Sequence, residues 1–266
     1  DKAEIIITIN ANDIENNKIR GDNDISYDIE SIRLKQAFEQ KGFLVNSIVI
    51  TQFSYQDKAI RFEKYLDNLS IKHSRTYNIN GYPNDINHIL SPDGFGKNDY
   101  VKTQRPLVVI TGPGPGSGKM ATCLSQMYLD HEMGQTSSYA KFETFPIWNL
   151  ALMHPVNMAY EAATANLNDV NMIDPYHLES YGQSAVNYNR DVEAFPVLKK
   201  MLEKIMGEAP YKSPTDMGVN MVGFCIIDEE AAIEASKEEI IRRYYNSLVD
   251  YRFAKESYTS IEKIQT

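Results

Sequence analysis

Cysteine is scarce in this 266-residue sequence: there are two, Cys123 and Cys225, far apart and without Cys-x-x-Cys spacing. That spacing gives no disulfide framework and no thiolate zinc site, so both thiols are expected to be reduced and buried. No HExxH and no H-x-E…C-x-x-C pattern occurs, which argues against zinc. No G-x-S-x-G elbow occurs, so Ser-His-Asp hydrolase chemistry has no support. No apolar run approaches the roughly 18 residues of a membrane span. The longest are IIITI and MVGFCII. No Lys/Arg-rich run offsets the net charge of −9, so nucleic acid is not the expected partner. No signal peptide is visible, and a cytoplasmic location is expected. The chain starts at Asp1 rather than Met, so its true start is expected to lie upstream.

What is present is ordinary globular material, 42% hydrophobic and 24% charged, long enough for one or two domains. Strand and helix patterns alternate over the first 150 residues. Strands are expected at 4–10, 46–53, 73–79, 106–111 and 139–148, with helices at 28–41, 56–69 and 118–133. A long loop at 80–105 hides a short helix near Ile86–Leu90 and reads as functional or mobile. The alternation predicts an α/β fold: a Rossmann/P-loop-like, mostly parallel sheet with helices on both faces. Residues 151–266 read as a mainly helical region continuing beyond this sequence. Helices are expected from Pro155, over 193–206 and over 228–255, with Asp228 as N-cap and a frayed tail from Tyr258. The boundary is placed near 150.

The chemistry concentrates in PLVVITGPGPGSGKMATCLSQMY, residues 106–128. An apolar strand runs into four glycines, then Gly118-Lys119, then an amphipathic helix. A P-loop works because glycines let backbone amides turn toward phosphate oxygens at a helix N-terminus. Its Lys neutralises the terminal phosphates, and the next Ser/Thr holds magnesium. Here Pro113 stands where the first Gly belongs, and Met120 where the hydroxyl belongs. A thioether is a poor ligand for a hard cation. Ser117 and Thr122 are the alternative hydroxyls. Gly114, Gly116, Ser117, Gly118, Lys119 and Thr122 are therefore the candidate binding residues, with a tight strand-to-helix turn as the bland alternative. ATP or another nucleotide is the expected cofactor, with magnesium left open.

In open α/β sheets ligands sit beyond the C-terminal ends of the strands. The loop after strand one, with Asn10, Asn12, Asp13, Lys18 and Arg20, is expected to meet the glycine loop there, as is the end of strand five with Glu143 and Thr144. Lys18 and Arg20 read as phosphate clamps or as a solvated loop. Glu143 and Asp169 are candidate base or metal-facing carboxylates. His177 is a candidate acid/base if a carboxylate orients it, while Asp174-Pro175 reads as a helix cap. His154 reads as structural. Arg190 with Asp191 reads as an ion pair or cap, and Lys212, Ser213, Thr215 and Asp216 as a polar turn.

The segments NDIENNKIRGD, RPLVVITGPGPGSGKMATCLSQ, YAKFETFPIWNL, HPVNMAYEAATANLNDVNMIDPYHLESYG, NYNRDVEAFPVL and YKSPTDMGVNM carry a resemblance across nearly the whole chain. The sequence resembles the bacterial domain of unknown function 1846 family, also labelled uncharacterised protein family 0371. The resemblance implies a longer protein, and a Met after the Gly-Lys as a family feature. It assigns no activity. The expected function is phosphoryl transfer or ATP-dependent ligation on a small molecule, with Lys119 on the phosphates. The alternative is a non-catalytic, oligomeric binder or sensor of a phosphorylated metabolite. A metal-free enzyme on sugar phosphates is a third reading. The expected partner is a small phosphorylated molecule, not a membrane.

Overall fold

In the computed structural model of the chain, residues 2–20, 24–253 and 258–265 are described, and the chain divides into two compact units. The first is Asp1–Ser138 with Met201–Glu208; the second is Tyr139–Lys200 with Ala209–Thr266.

The first unit runs β1 (Ala3–Asn10), α1 (Ala11–Glu15), α2 (Tyr27–Gln40), β2 (Leu44–Phe53), α3 (Asp57–Asn68), β3 (His73–Tyr77), α4 (Ile86–Ile89), β4 (Leu107–Thr111) and α5 (Lys119–Glu132). Its four strands pair in the order β3-β2-β1-β4, all parallel. The mixed α/β fold with a mostly parallel sheet is as expected. Central β1 is apolar on both faces, as a sheet covered on both sides requires. Ile5, Ile7 and Ile9 pack with Ile48, Ile50, Phe62 and Leu66 on one face, and Ile6 packs with Val49 and Val101 on the other. The order reverses between β1 and β4, which places a switch point beyond their C-terminal ends.

Several expectations need correction here. The connection 80–105 is anchored at a few points: Ile89 and Phe95 are buried, and Asn98 joins the Tyr77 amide to the Ser125 hydroxyl. On edge strand β4, Leu107 and Val109 are exposed. On α3, Leu69 falls past the last turn and is exposed, while Glu63 is buried because Arg75 pairs with it at 2.6 Å. On α5, Met120 in the first turn is exposed, whereas Leu124 and Met127 are buried. Cys225 is exposed, and Cys123 is half-buried with its thiol pushed up to about 12 by burial.

The second unit contains β5 (Lys141–Phe142), α6 (Pro155–Ala163), β6 (Asn171–Ile173), α7 (Pro175–Tyr181), β7 (Val186–Tyr188), α8 (Asn189–Met206), β8 (Gly218–Val219), α9 (Glu229–Arg252) and α10 (Tyr258–Gln265). The last turns of α8, from Met201, group with the first unit. The fifth strand expected at 139–148 is only two residues long and does not join the large sheet; it pairs with β8. The last ladder hydrogen bond is from the Glu143 amide, and Pro146, three residues further on, has no amide with which a longer ladder could continue. Strands β6 and β7 form an antiparallel pair. The tail from Tyr258 is a helix anchored by buried Ile261, not a fray. On α9, Ile241 and Tyr245 are exposed.

Ile7→Ala, on the strand between β2 and β4, is expected to cost about 2–5 kcal/mol. Val109→Ala on edge strand β4 should stay within about 0.5 kcal/mol. Denaturant unfolding of the two variants checks the contrast.

Candidate functional site

Residues 112–118 connect β4 to α5, and the ends of β1 and β2 hold them. The Thr8 hydroxyl donates to the carbonyl of Thr111 at 3.1 Å and lies 3.4 Å from the Ser117 hydroxyl. The Asn10 amide donates to the carbonyl of Gly116 at 3.1 Å. The Thr51 hydroxyl donates to the carbonyl of Ser117 at 3.0 Å. Arg20 reaches the carbonyl of Pro113 at 3.3 Å. Lys119 folds back over the loop, donating to the carbonyl of Gly114 at 2.9 Å and to the Ser117 hydroxyl at 3.2 Å. The side chains thus take up the carbonyls of Pro113, Gly114, Gly116 and Ser117.

A trans peptide points its amide opposite to its carbonyl. Tying down the carbonyls of Pro113, Gly116 and Ser117 turns the amides of Gly114, Ser117 and Gly118 the other way. Among the described residues none of these three amides has an acceptor. Gly118 caps α5 at φ +87° and offers no side chain to its first turn, so helix geometry leaves the first-turn amides without intrahelical partners. At all four loop positions a side chain would be strained: at Gly112 a Cβ would lie 2.5 Å from the Thr8 carbonyl, and Gly116 has φ +75°. At Gly118 a Cβ would also lie 2.6 Å from the Thr51 hydroxyl, and at Gly114 a Cβ would lie 2.3 Å from the Tyr27 hydroxyl.

The two candidate clamps both have protein contacts. Lys18 pairs with Asp13 at 3.3 Å and lies over the Tyr27 ring at 4.9 Å. Arg20 binds buried Glu30 at 3.1 Å as well as the loop. Ser117 is fully buried and faces Thr8 and Lys119. Thr122 is buried, and its hydroxyl has no partner among the described residues. Thr8, Thr51, Gln52 and Tyr27 were not singled out by motif. A polar Thr inside the apolar run IIITIN was the available signal for the first of them.

Glu143 lies in the second unit, outside the four-stranded sheet whose strand end it was expected to mark. There it belongs to a network. Lys141 contacts the Glu143 carboxylate, the Asp191 carboxylate and the Tyr188 hydroxyl. Tyr188 donates to Glu143 at 2.9 Å. Asp169 is buried and pairs with Arg190 at 3.1 Å, and Arg190 lies 5.2 Å from the centre of the Tyr188 ring. Burial pushes the Glu143 carboxyl up, against the pull of the Lys141 ammonium. It pushes Asp169 up, against Arg190. Burial and then the neighbouring carboxylates raise the Tyr188 phenol, which stays a proton donor. Perturbed groups gathered in this way mark functional sites, and they also mark structural ion networks.

Asp174 caps α7, accepting from the amides of Tyr176 and His177 at 3.0 Å, and is fully buried against the Thr215 hydroxyl at 2.6 Å. The His177 ring meets the Ser213 hydroxyl at 3.0 Å, not a carboxylate. The orienting acid that general-base chemistry would need is therefore committed to the backbone and to Thr215. His154 caps α6 from its ring nitrogen, a structural role.

Lys141→Met should destabilise the protein by about 3 kcal/mol at pH 7, because it leaves the Glu143 and Asp191 carboxylates without their cation. The sign with pH follows from Glu143. Its raised folded-state pKa means that the folded protein binds the extra proton on acidification. The deficit of the variant is therefore small below the wild-type folded-state pKa of Glu143, grows as pH rises above it, and is full once pH passes the variant's still higher pKa. Unfolding curves over a pH series check this.

The chain was compared with known proteins. A family model described as "Domain of unknown function DUF1846, N-terminal" matches residues 1–266. A "UPF0371 protein" of Streptococcus equi subsp. zooepidemicus (strain H70) is 62% identical over 265 residues, covering 100% of this chain and 53% of that protein. Others from Streptococcus uberis and Streptococcus sanguinis are 62% and 60% identical, each covered to 54% of its length. The chain thus spans about half the length of the curated relatives it matches. With the whole of its sequence matched, the chain belongs to the DUF1846 family, whose function is uncharacterised.

Proposed function

We propose that the first unit binds the phosphate of a nucleotide or of another phosphorylated small molecule in the loop Gly112–Lys119. What supports this reading above all is the arrangement of the loop's peptides. Four carbonyls are held by side chains, three amides are turned the other way, and they precede the N-terminus of a 14-residue helix. Such an end carries positive partial charge and suits an anion. Lys119 adds a full charge beside the loop. The site also lies where open parallel sheets place their ligands.

The residues do not fit magnesium in the usual P-loop manner. Met120 occupies the ligand position, and Ser117 is buried against Thr8 and Lys119. Phosphoryl transfer or ATP-dependent ligation would rest on positioning and charge, as such chemistry largely does. Glu143 and Asp169, the carboxylates that the sequence offered for it, are committed to Lys141, Tyr188 and Arg190. That observation favours a second reading, in which the protein binds or senses a phosphorylated metabolite without turnover.

Thermal unfolding of the full-length protein with nucleotides, sugar phosphates and inorganic phosphate tests the proposal. A ligand at about 100 times its Kd should stabilise by about 2.7 kcal/mol. The shift should vanish in Lys119→Ala and be indifferent to magnesium. Product formation would separate the enzyme from the sensor. No shift with any of these anions would reduce the glycines to a turn.

A further inference from the structure

The sheet of β5 and β8 is incomplete as it stands. It is a parallel pair two residues long, with Lys141 opposite Gly218 and Phe142 opposite Val219. Its inner side is closed: a Cβ on Gly218 would lie 2.3 Å from the Trp148 ring. Its outer side carries Phe142, 73% exposed, and Val219, 41% exposed. The chain leaving β8 carries further exposed apolar side chains, Met221, Phe224 and Ile227, the last of them 100% exposed. The edge is open as well. The ladder uses the amides of Lys141 and Glu143, so the amide of Phe142 between them points away from β8 and has no acceptor among the described residues.

Each of these features is costly in water. Parallel sheets occur almost always with both faces covered. Two-stranded pairs are marginal alone, and an open edge is a template for another strand. Apolar patches of this type mark interaction surfaces.

We propose that this face is covered by the portion of the same polypeptide that lies outside this chain. That portion adds an extended segment to the open edge of β5 and lays apolar side chains over Phe142, Val219, Met221, Phe224 and Ile227. Relatives covered to 53% and 54% of their length supply a segment of ample size. A tethered segment also meets the face at high effective concentration, which suits a permanent apolar cover better than a diffusing partner does. The inference is independent of the glycine loop.

Hydroxyl-radical footprinting of the full-length protein, read by mass spectrometry over a dilution series, tests it. Phe142, Met221 and Phe224 should react as slowly as interior Phe53 and Phe95, and should do so undiminished at dilutions where sedimentation shows a monomer. Phe224→Asp with Ile227→Asp should raise the reactivity of Phe142 and Met221 several-fold. Reactivity of Phe142, Met221 and Phe224 equal to that of exposed Tyr55 and Met133 would overturn the proposal. So would protection that disappears on dilution, which would assign the face to a second copy of the protein.

Discussion

Everything distinctive about the glycine loop follows from where its carbonyls are fixed. A loop of four glycines has no preferred shape, and glycine is the residue that loses most entropy on being ordered. Here the shape is imposed from the sheet. Thr8 and Asn10 near the end of β1, and Thr51 near the end of β2, present polar groups where the loop passes, and Lys119 closes it from the helix side. The residues that define the loop's geometry lie mostly outside the glycine motif, on the most buried strands of the sheet.

The sheet was legible because its signal is repeated. IIITIN and NSIVITQF are apolar on both faces, and only a covered parallel sheet tolerates that. The helices between them carry periodic stripes and stop signals, and their ends fall within a few residues of expectation. The Asp174 cap, the Asp228 cap and the short helix after Asp85 were legible too, since each depends on a side chain and its own nearest amides. Local chemistry is written locally.

What was not legible depended on distant pairing. YAKFETFPIW alternates as a strand should, yet its partner is β8, some 77 residues on from Lys141 to Gly218, and the ladder lasts two residues. No periodicity in one segment reveals its partner. The Lys141–Glu143–Tyr188–Asp191 network is similar. Glu143's cation is two residues away and its phenol 45 residues away, and the second of these contacts is set only by the fold. On the glycine loop, the motif named the residues and their helix but not the ties from Asn10 and Thr51. Those residues read as ordinary strand ends until the fold sets them against the loop.

The central claim is that side-chain ties to the carbonyls orient the loop amides for an anion. The most direct measurement is the Kd of a phosphorylated ligand for full-length Thr51→Val. This variant keeps Lys119 and all the glycines and removes one donor to the loop. One buried hydrogen bond is worth about 1 kcal/mol, so binding should weaken by roughly five- to tenfold with the fold intact. Unchanged affinity would contradict the account, since the loop would then hold its ligand without the tie that is said to shape it.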